Sequence, residues 1–460
     1  MTITLENTYT DIFTDFDDTI FSDGSIDPIG LQVIWTSLGN RIFQNRLNSI
    51  STNIQSYTLN LFHHAVIRQL QASHVDKIIN LVGRSPYDNR TDLYDGLAIF
   101  LECLLAHIQS RESEAEAAES AIYIPGANKL HGILINRPAD AIAKSIPVDR
   151  KDGILIRHIL LGIHGRHKGP FQQMGLFHKR DYYADEKLWN EVRKLFGTGS
   201  WDKLLTTLVQ RIDKHVLSAR ITANKPIRVK VSDILDDTLS SIYRAALHPA
   251  NFNQARFVRF WEHHLGLSDP KTTAGRIYKY VADHNGEVVP QDALHHLGQS
   301  HRDVFLQAIN VVEPFIASIQ KVMDRLLLRG TSTIDAELLA FIRKHLSTPS
   351  LNIQSIYPFL TEEYFNEEAI RRLKRLLEIY QESISPINEK TFATRLIGFH
   401  REVTTKRGNL PWITISPSHT ITQHRSFQYT QSVLDNQERD TWVNDYYLRT
   451  VISLYKGLHS

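Results

Sequence analysis

The sequence predicts a mainly α, multi-helical protein with a helix-turn-helix module, winged or unwinged, and small β elements. Three observations carry that expectation. Apolar residues recur at three- and four-residue spacing along most long segments. Alternating strand patterns are confined to Pro226–Val231 and to the stretch around Ser416-Pro417-Ser418-His419. The 460 residues are 42% hydrophobic and 22% charged, which is the make-up of an ordinary globular chain and not of a disordered one.

The elements follow in order. Asp27-Pro28 opens a turn, after which Ile29, Leu31, Ile34, Leu38 and Ile42 keep helical spacing. Leu59, Leu61, Phe62, Ala65, Val66, Ile67 and Leu70 mark a second helix. Leu93–His107 marks a third, running into the helix-favouring Glu112–Ser120 until Pro125-Gly126 breaks it. Leu204, Leu205, Leu208, Val209, Ile212 and Val216 predict a helix over Trp201–Leu217. Ile227, Val229 and Val231 alternate as in a strand. Arg302–Leu328 is long and amphipathic, is interrupted by Pro314, and closes at Gly330. Asn366–Tyr380 sets Ile370, Leu373, Leu376, Leu377 and Tyr380 against Arg371, Arg372, Lys374 and Arg375. Trp412–Ile415 and Thr420–Thr422 read as a hairpin.

Charge divides the chain more sharply than composition does. Residues 1–136 hold 8 Lys+Arg and 16 Asp+Glu, a net of −8. Residues 137–230 hold 19 and 9, a net of +10, and the remainder is neutral. The expected organisation is therefore an acidic helical domain over 1–136 and a basic segment over 137–230. A helical region with the helix-turn-helix follows over 231–330, then a C-terminal helical region with the hairpin over 331–460. Such segregation points to a polyanion surface on the basic segment, or to docking between the first two segments.

The densest unusual stretch is Gly162-Ile163-His164-Gly165-Arg166-His167-Lys168-Gly169-Pro170-Phe171. Its glycines permit close backbone approach, and Arg166 and Lys168 can meet phosphate. Lys168 is followed by Gly169-Pro170 and not by a hydroxyl residue opening a helix, so this is no Walker A loop. It reads as an anion- or nucleic-acid-contacting loop, with His164, His167, Lys179 and Arg180 as further contacts. Histidine is abundant, with 22 in the chain, and solvated or phosphate-facing histidines are expected. No HExxH occurs, and adjacent residues on a helix, such as His63-His64, His263-His264 and His295-His296, point about 100° apart. Neither a metal site nor a cofactor is expected.

Residues 270–313 read as the helix-turn-helix. Thr273–His284 and Pro290–Leu297 form two helices, Gly298 lies in a turn, and Ser300 caps a third, His301–Val312. The last helix of such a module enters the major groove. Ser300, His301, Arg302 and Gln307 would then meet bases and phosphates, and Lys271, Arg276 and Lys279 would meet the backbone, although Asp303 shares the third helix. No catalytic residue is expected: GxSxG is absent, Asp185-Glu186-Lys187 is too contiguous for a nuclease trio, and the single cysteine, Cys103, sits in an apolar helix as core.

Two resemblances accompany these readings. Asp15-Phe16-Asp17-Asp18-Thr19 resembles the DxDxT signature of haloacid-dehalogenase-like phosphatases, over these five residues alone. That resemblance implies a nucleophilic Asp15, an acid–base Asp17 and a Mg²⁺ ion. Asp27-Pro28-Ile29-Gly30-Leu31, Ile34-Trp35, Ile42-Phe43, Ser49-Ile50-Ser51 and Tyr57–Phe62 resemble uncharacterised proteins of bacterial defence islands. Gly165-Arg166, Gly169-Pro170-Phe171 and Trp442 with Tyr446-Tyr447-Leu448 fit the same group. This resemblance implies an accessory component of an anti-phage, restriction-type system that acts on DNA beside a helicase or ATPase, with no catalytic residue carried over. The leading expectation is such a DNA-associated subunit. A phosphatase and a pure protein scaffold are the alternatives. One cysteine, no apolar run long enough to span a membrane and no leader-like N-terminus make a cytoplasmic protein the expectation.

Overall fold

A computed structural model describes residues 27–48, 52–74, 90–111, 143–146, 162–218, 227–300, 303–347, 352–384, 388–424 and 443–459, and Ile122, Ile124, Leu130 and Ile154 singly. The described residues are mainly helical. In chain order the helices are α1 (Gln32–Phe43), α2 (Ile54–Ser73), α3 (Arg90–Gln109), α4 (Ile163–Gln173), α5 (Glu186–Phe196), α6 (Gly199–Ile212), α7 (Val231–Ile234), α8 (Asp237–Ala246), α9 (Ala255–His264), α10 (Thr273–Asp283), α11 (Pro290–Ser300), α12 (Val304–Leu328), α13 (Ala336–Leu346), α14 (Glu367–Ile384), α15 (Glu389–Lys406) and α16 (Leu448–His459). A π-helical turn, Asp213–Leu217, extends α6 through the range its spacing predicts. Strand β1 (Ala143–Ile146), which the sequence did not announce, pairs antiparallel with β2 (Ile227–Lys230), Ala143 opposite Lys230. Strands β3 (Ser332–Thr333), β4 (Ile413–Ile415) and β5 (Thr420–Gln423) form a second antiparallel sheet in the order β3–β5–β4, and β4–β5 is the expected hairpin. No helix among the described residues is long and apolar enough to cross a membrane.

Short polar side chains start many of these helices, because the first N–H groups of a helix have no internal acceptor. Asn53, Asp185, Asp236, Thr272, Asp303, Asp335 and Asn388 each accept a backbone N–H in the first turn of the helix that follows.

The chain forms two compact units, residues 1–45 with 269–449 and residues 46–268 with 450–460. These units cut across the stretches drawn from charge. In the unit holding 46–268, α2 packs against α3, α4, α5 and α6. It is therefore buried on almost every side, polar residues included: Asn60, His63 and His64 are fully buried. An aromatic cluster of Phe62, Phe196, Trp201 and Phe257 seals one side. Trp261 joins the same core, its Nε1 donating to Thr58 Oγ1 at 2.8 Å. Truncating any of these rings to alanine costs about 3–5 kcal/mol.

In the other unit α12 is central, meeting α1, α11, α13 and α15. The expected break at Pro314 is corrected: α12 runs through it. Proline removes one backbone bond, but Val312, Phe315, Ile316 and Ile319 are buried around it and hold the helix by packing. Beside it, the fully buried Glu313 accepts from Trp35 Nε1 (2.9 Å), Tyr446 Oη (2.6 Å), Val443 N (2.8 Å) and Asn444 N (3.0 Å). Burial pushes its pKa up to about 7 against the pull of these donors.

Helices α10, α11 and α12 fall in the stretch where three helices were expected, with two corrections. Gly298 is inside α11, against the Asn310 side chain, and Ser300 ends α11 instead of capping the next helix. The cap of α12 is Asp303, which accepts from Phe305 N and Leu306 N at 3.0 and 3.2 Å. Asp15, Asp17, His301, Arg302, Trp442 and the Glu112–Ser120 run lie outside the described residues.

Candidate functional site

The conspicuous stretch at 162–171 is not a loop. It forms the first part of α4, for reasons the local sequence conceals. Gly162 has no side chain to cap the helix, and a carboxylate from α3 does so instead: Glu102, fully buried, accepts from Ile163 N at 2.9 Å and His164 N at 2.6 Å. Pro170 cannot donate to Arg166 O, and Asn48 Nδ2 donates there at 3.2 Å. Gly175, at φ +76°, ends the helix, with Leu176 N donating to Phe171 O at 2.9 Å and Gly175 N to Gln172 O at 3.1 Å.

Helices α2, α3 and α4 pack on one another and enclose a polar chain. Tyr183 Oη lies 2.8 Å from His64 Nδ1, and His64 Nε2 lies 3.0 Å from His164 Nδ1. His164 Nε2 stands 2.9 Å from Asp95 Oδ1, while Asp95 Oδ2 accepts from Lys168 Nζ at 2.8 Å. Tyr182 Oη also donates to Asp95 Oδ1, at 2.7 Å. Two proton arrangements satisfy the His64 contacts. In one, Tyr183 donates to His64 and His64 to His164. In the other, an added proton on His164 Nδ1 reverses both bonds with no heavy atom moving. Burial, then the charge of His164, holds His64 well below its ordinary pKa. Burial pushes the Tyr183 hydroxyl well above its ordinary value. Burial also pushes Asp95 up, but His164 and Lys168 more than reverse this and hold its carboxyl well below the usual carboxylate range.

The expectation of solvated or phosphate-facing histidines is therefore corrected for this cluster. His164 and His167 are each 1% exposed, and His63 and His64 are fully buried. His167 Nδ1 donates to Ile163 O at 2.7 Å, and burial pushes both His63 and His167 down to about 4. Neither histidine of α4 can meet a nucleic acid. Lys168 is neutralised by Asp95, and Arg166 is half-buried. The local sequence carried no sign of this, because Asp95 and Glu102 lie 73 and 61 residues before their partners.

The exposed charge lies just beyond. Phe177 and Tyr182 stack inside the core at 4.4 Å, so the residues between them are forced outward. His178, Lys179 and Arg180 are exposed there. Helix α5 buries Trp189, Val192, Leu195 and Phe196 and presents Lys187, Arg193 and Lys194 to solvent. None of Lys179, Arg180, Lys187, Arg193 and Lys194 makes an ion pair among the described residues. Two of the interspersed carboxylates are engaged by backbone: Asp181 accepts from Tyr183 N at 3.2 Å and Asp185 from Leu188 N at 2.9 Å.

The cations of the three-helix module are placed differently. Arg276 pairs with the buried Asp303, which also accepts from Thr273 Oγ1 at 2.7 Å. Lys279 pairs with Asp283 at 3.0 Å. Lys271 is exposed and Gln307 half-buried. The Asp303 carboxylate occupies the start of α12, where a phosphate would have to approach. Among the described residues no group of three His, Cys, Asp or Glu is arranged to hold a metal ion.

No protein-family model matches the chain, and no curated protein or solved structure matches it either.

Proposed function

We propose that this protein binds the phosphate backbone of nucleic acid, DNA in the first place, through the exposed strip at 179–194. Its role would be that of an accessory subunit beside a helicase or ATPase, as the defence-island resemblance implies. One observation carries the reading: Lys179, Arg180, Lys187, Arg193 and Lys194 are all exposed and unpaired within sixteen residues. Cations without internal partners release counterions when they meet phosphates, so binding of this kind is sequence-independent and falls steeply with salt. The test is binding of labelled duplex and single-stranded DNA by the full chain across a salt series. Lys179→Glu with Arg180→Glu weakens binding and lowers the magnitude of the salt slope by about 2. Unchanged affinity and slope in that variant would remove the strip from the interface.

A further inference from the structure

A second feature of the same unit borders that strip and shares Lys187 with it. Arg46, Met174, Gly175, His178, Lys187, Leu188, His263 and His264 surround an open cleft of about 410 Å³, together with Asp185 and Glu191. The Arg46 guanidinium lies over Gly266, whose absent Cβ would stand 2.7 Å from Nη1. Its Nε is buried with no acceptor, and Arg46 makes no ion pair among the described residues. His264 is similar: its ring packs on Phe260 at 4.3 Å, and its Nε2 is buried without a partner. Asp185 is engaged in capping α5, and Glu191, one turn on from Lys187, pairs with none of these cations.

We infer that this cleft is a binding site for a phosphate monoester, held by Arg46 with His264, His263, His178 and Lys187 around it. Arg46 makes no ion pair among the described residues, and an oxyanion in the cleft supplies acceptors to the guanidinium that lines it. A guanidinium presents forked donors that suit phosphate oxygens, and partial burial strengthens each bond. Burial, then the charges of His263 and Arg46, hold His264 down to about 4, and Asp185 and Glu191 offset part of the positive charge of the cleft. The cleft is larger than a bare ion needs, and Met174 and Leu188 give it an apolar wall for the organic part of an ester. This inference stands on the cleft and does not depend on the strip binding DNA.

The experiment is calorimetric titration of the full chain, at low ionic strength, with inorganic phosphate, phenyl phosphate, and a short oligonucleotide with a 5′-phosphate or a 5′-hydroxyl. Phenyl phosphate is expected to bind with a Kd of about 1 mM or tighter. Arg46→Ala should weaken it at least about tenfold, while Lys179→Ala with Arg180→Ala should change it by less than about threefold. Tighter binding of the 5′-phosphate oligonucleotide than of its 5′-hydroxyl twin identifies the ligand as a nucleic-acid end. Binding of phenyl phosphate without that difference identifies a small ester. Imidazole NMR signals of the unmutated chain give a readout that survives a poorly folding Arg46→Ala variant: phosphate added at pH 6 should shift His264 toward its protonated position. No binding by any phosphate compound, or a His264 signal that phosphate does not move, overturns the assignment.

Discussion

The two units differ in how many of their cations are matched by carboxylates. In the unit built around α12, many arginines and lysines are matched internally: Arg276 with Asp303, Lys279 with Asp283, Arg329 with Asp335 and Glu337, Arg407 with Asp27, and Arg371, Arg372 and Lys406 together on Glu368. In the unit built around α2, Lys168 faces a buried carboxylate and Arg211 pairs with Asp236, but the strip cations from Lys179 to Lys194 make no ion pair among the described residues. Net charge does not report this difference. A paired cation has its distant field largely cancelled, so only the free ones attract a polyanion. The helix-turn-helix region looked suited to DNA by its order of helices, and two of its three expected backbone contacts, Arg276 and Lys279, are spent on carboxylates.

The comparison is sharpened most by the buried end of that contrast. Asp95→Ala strands Lys168 and removes the acceptor of Tyr182 and the neighbour of His164. It should cost about 3–5 kcal/mol in urea unfolding, whereas a loss below about 1 kcal/mol would show the relay to be dispensable for folding.

Acid should change the stabilities of the two units in opposite directions. His63 and His167 are held near 4, below the ordinary 6.5, so the unfolded chain takes up their protons first. Their unit loses stability as pH falls from 6.5 toward 4, by up to about 1.4 kcal/mol per pH unit for each histidine. Glu313 is raised from 4.5 to about 7, so its folded form takes up the proton first and its unit gains stability over the same fall. Hydrogen exchange at pH 7 and pH 5 should show faster opening of α2 and α4 and slower opening around α12. The same direction in both units would break the assignment of these protonation states.

Charge reversal tests the free and matched cations directly. Lys179→Glu with Arg180→Glu should reduce DNA affinity about tenfold or more at low salt. Lys279→Ala, which removes a cation already matched by Asp283, should leave DNA affinity within about twofold. Equal losses from the two would erase the distinction between the units. The smallest effect is on stability: Lys279→Ala breaks an exposed i,i+4 pair and should shift unfolding by only about 0.3–0.5 kcal/mol.

Much of the architecture was legible along the chain because helices and hairpins follow local rules. The spacing at Leu59–Leu70 and Asn366–Tyr380, and the turn at Ser416–His419, each lead to the observed element. The failures share a cause. Residues 162–171 look like a loop because their cap, Glu102, and the donor that offsets Pro170, Asn48, come from other helices. Pro314 looks like a break because the packing that overrides it is tertiary. At the candidate site, Lys179 and Arg180 were visible as exposed charge. The isolation of Arg46 was not, since nothing in Arg46 and its neighbours in sequence distinguishes a paired guanidinium from an unpaired one.

By itself the sequence determined a mainly helical chain, the positions of eight of the sixteen helices and the C-terminal hairpin, since periodicity, caps and turn residues act within a few positions. Tertiary structure alone decided which histidines are buried and neutral, which cations are spent on carboxylates, and which remain to meet a ligand. Those outcomes depend on pairs such as Lys168 with Asp95, 73 residues apart, and Tyr446 with Glu313, 133 apart. Burial sets their charge and hydrogen bonding, and burial is a property of the packed chain.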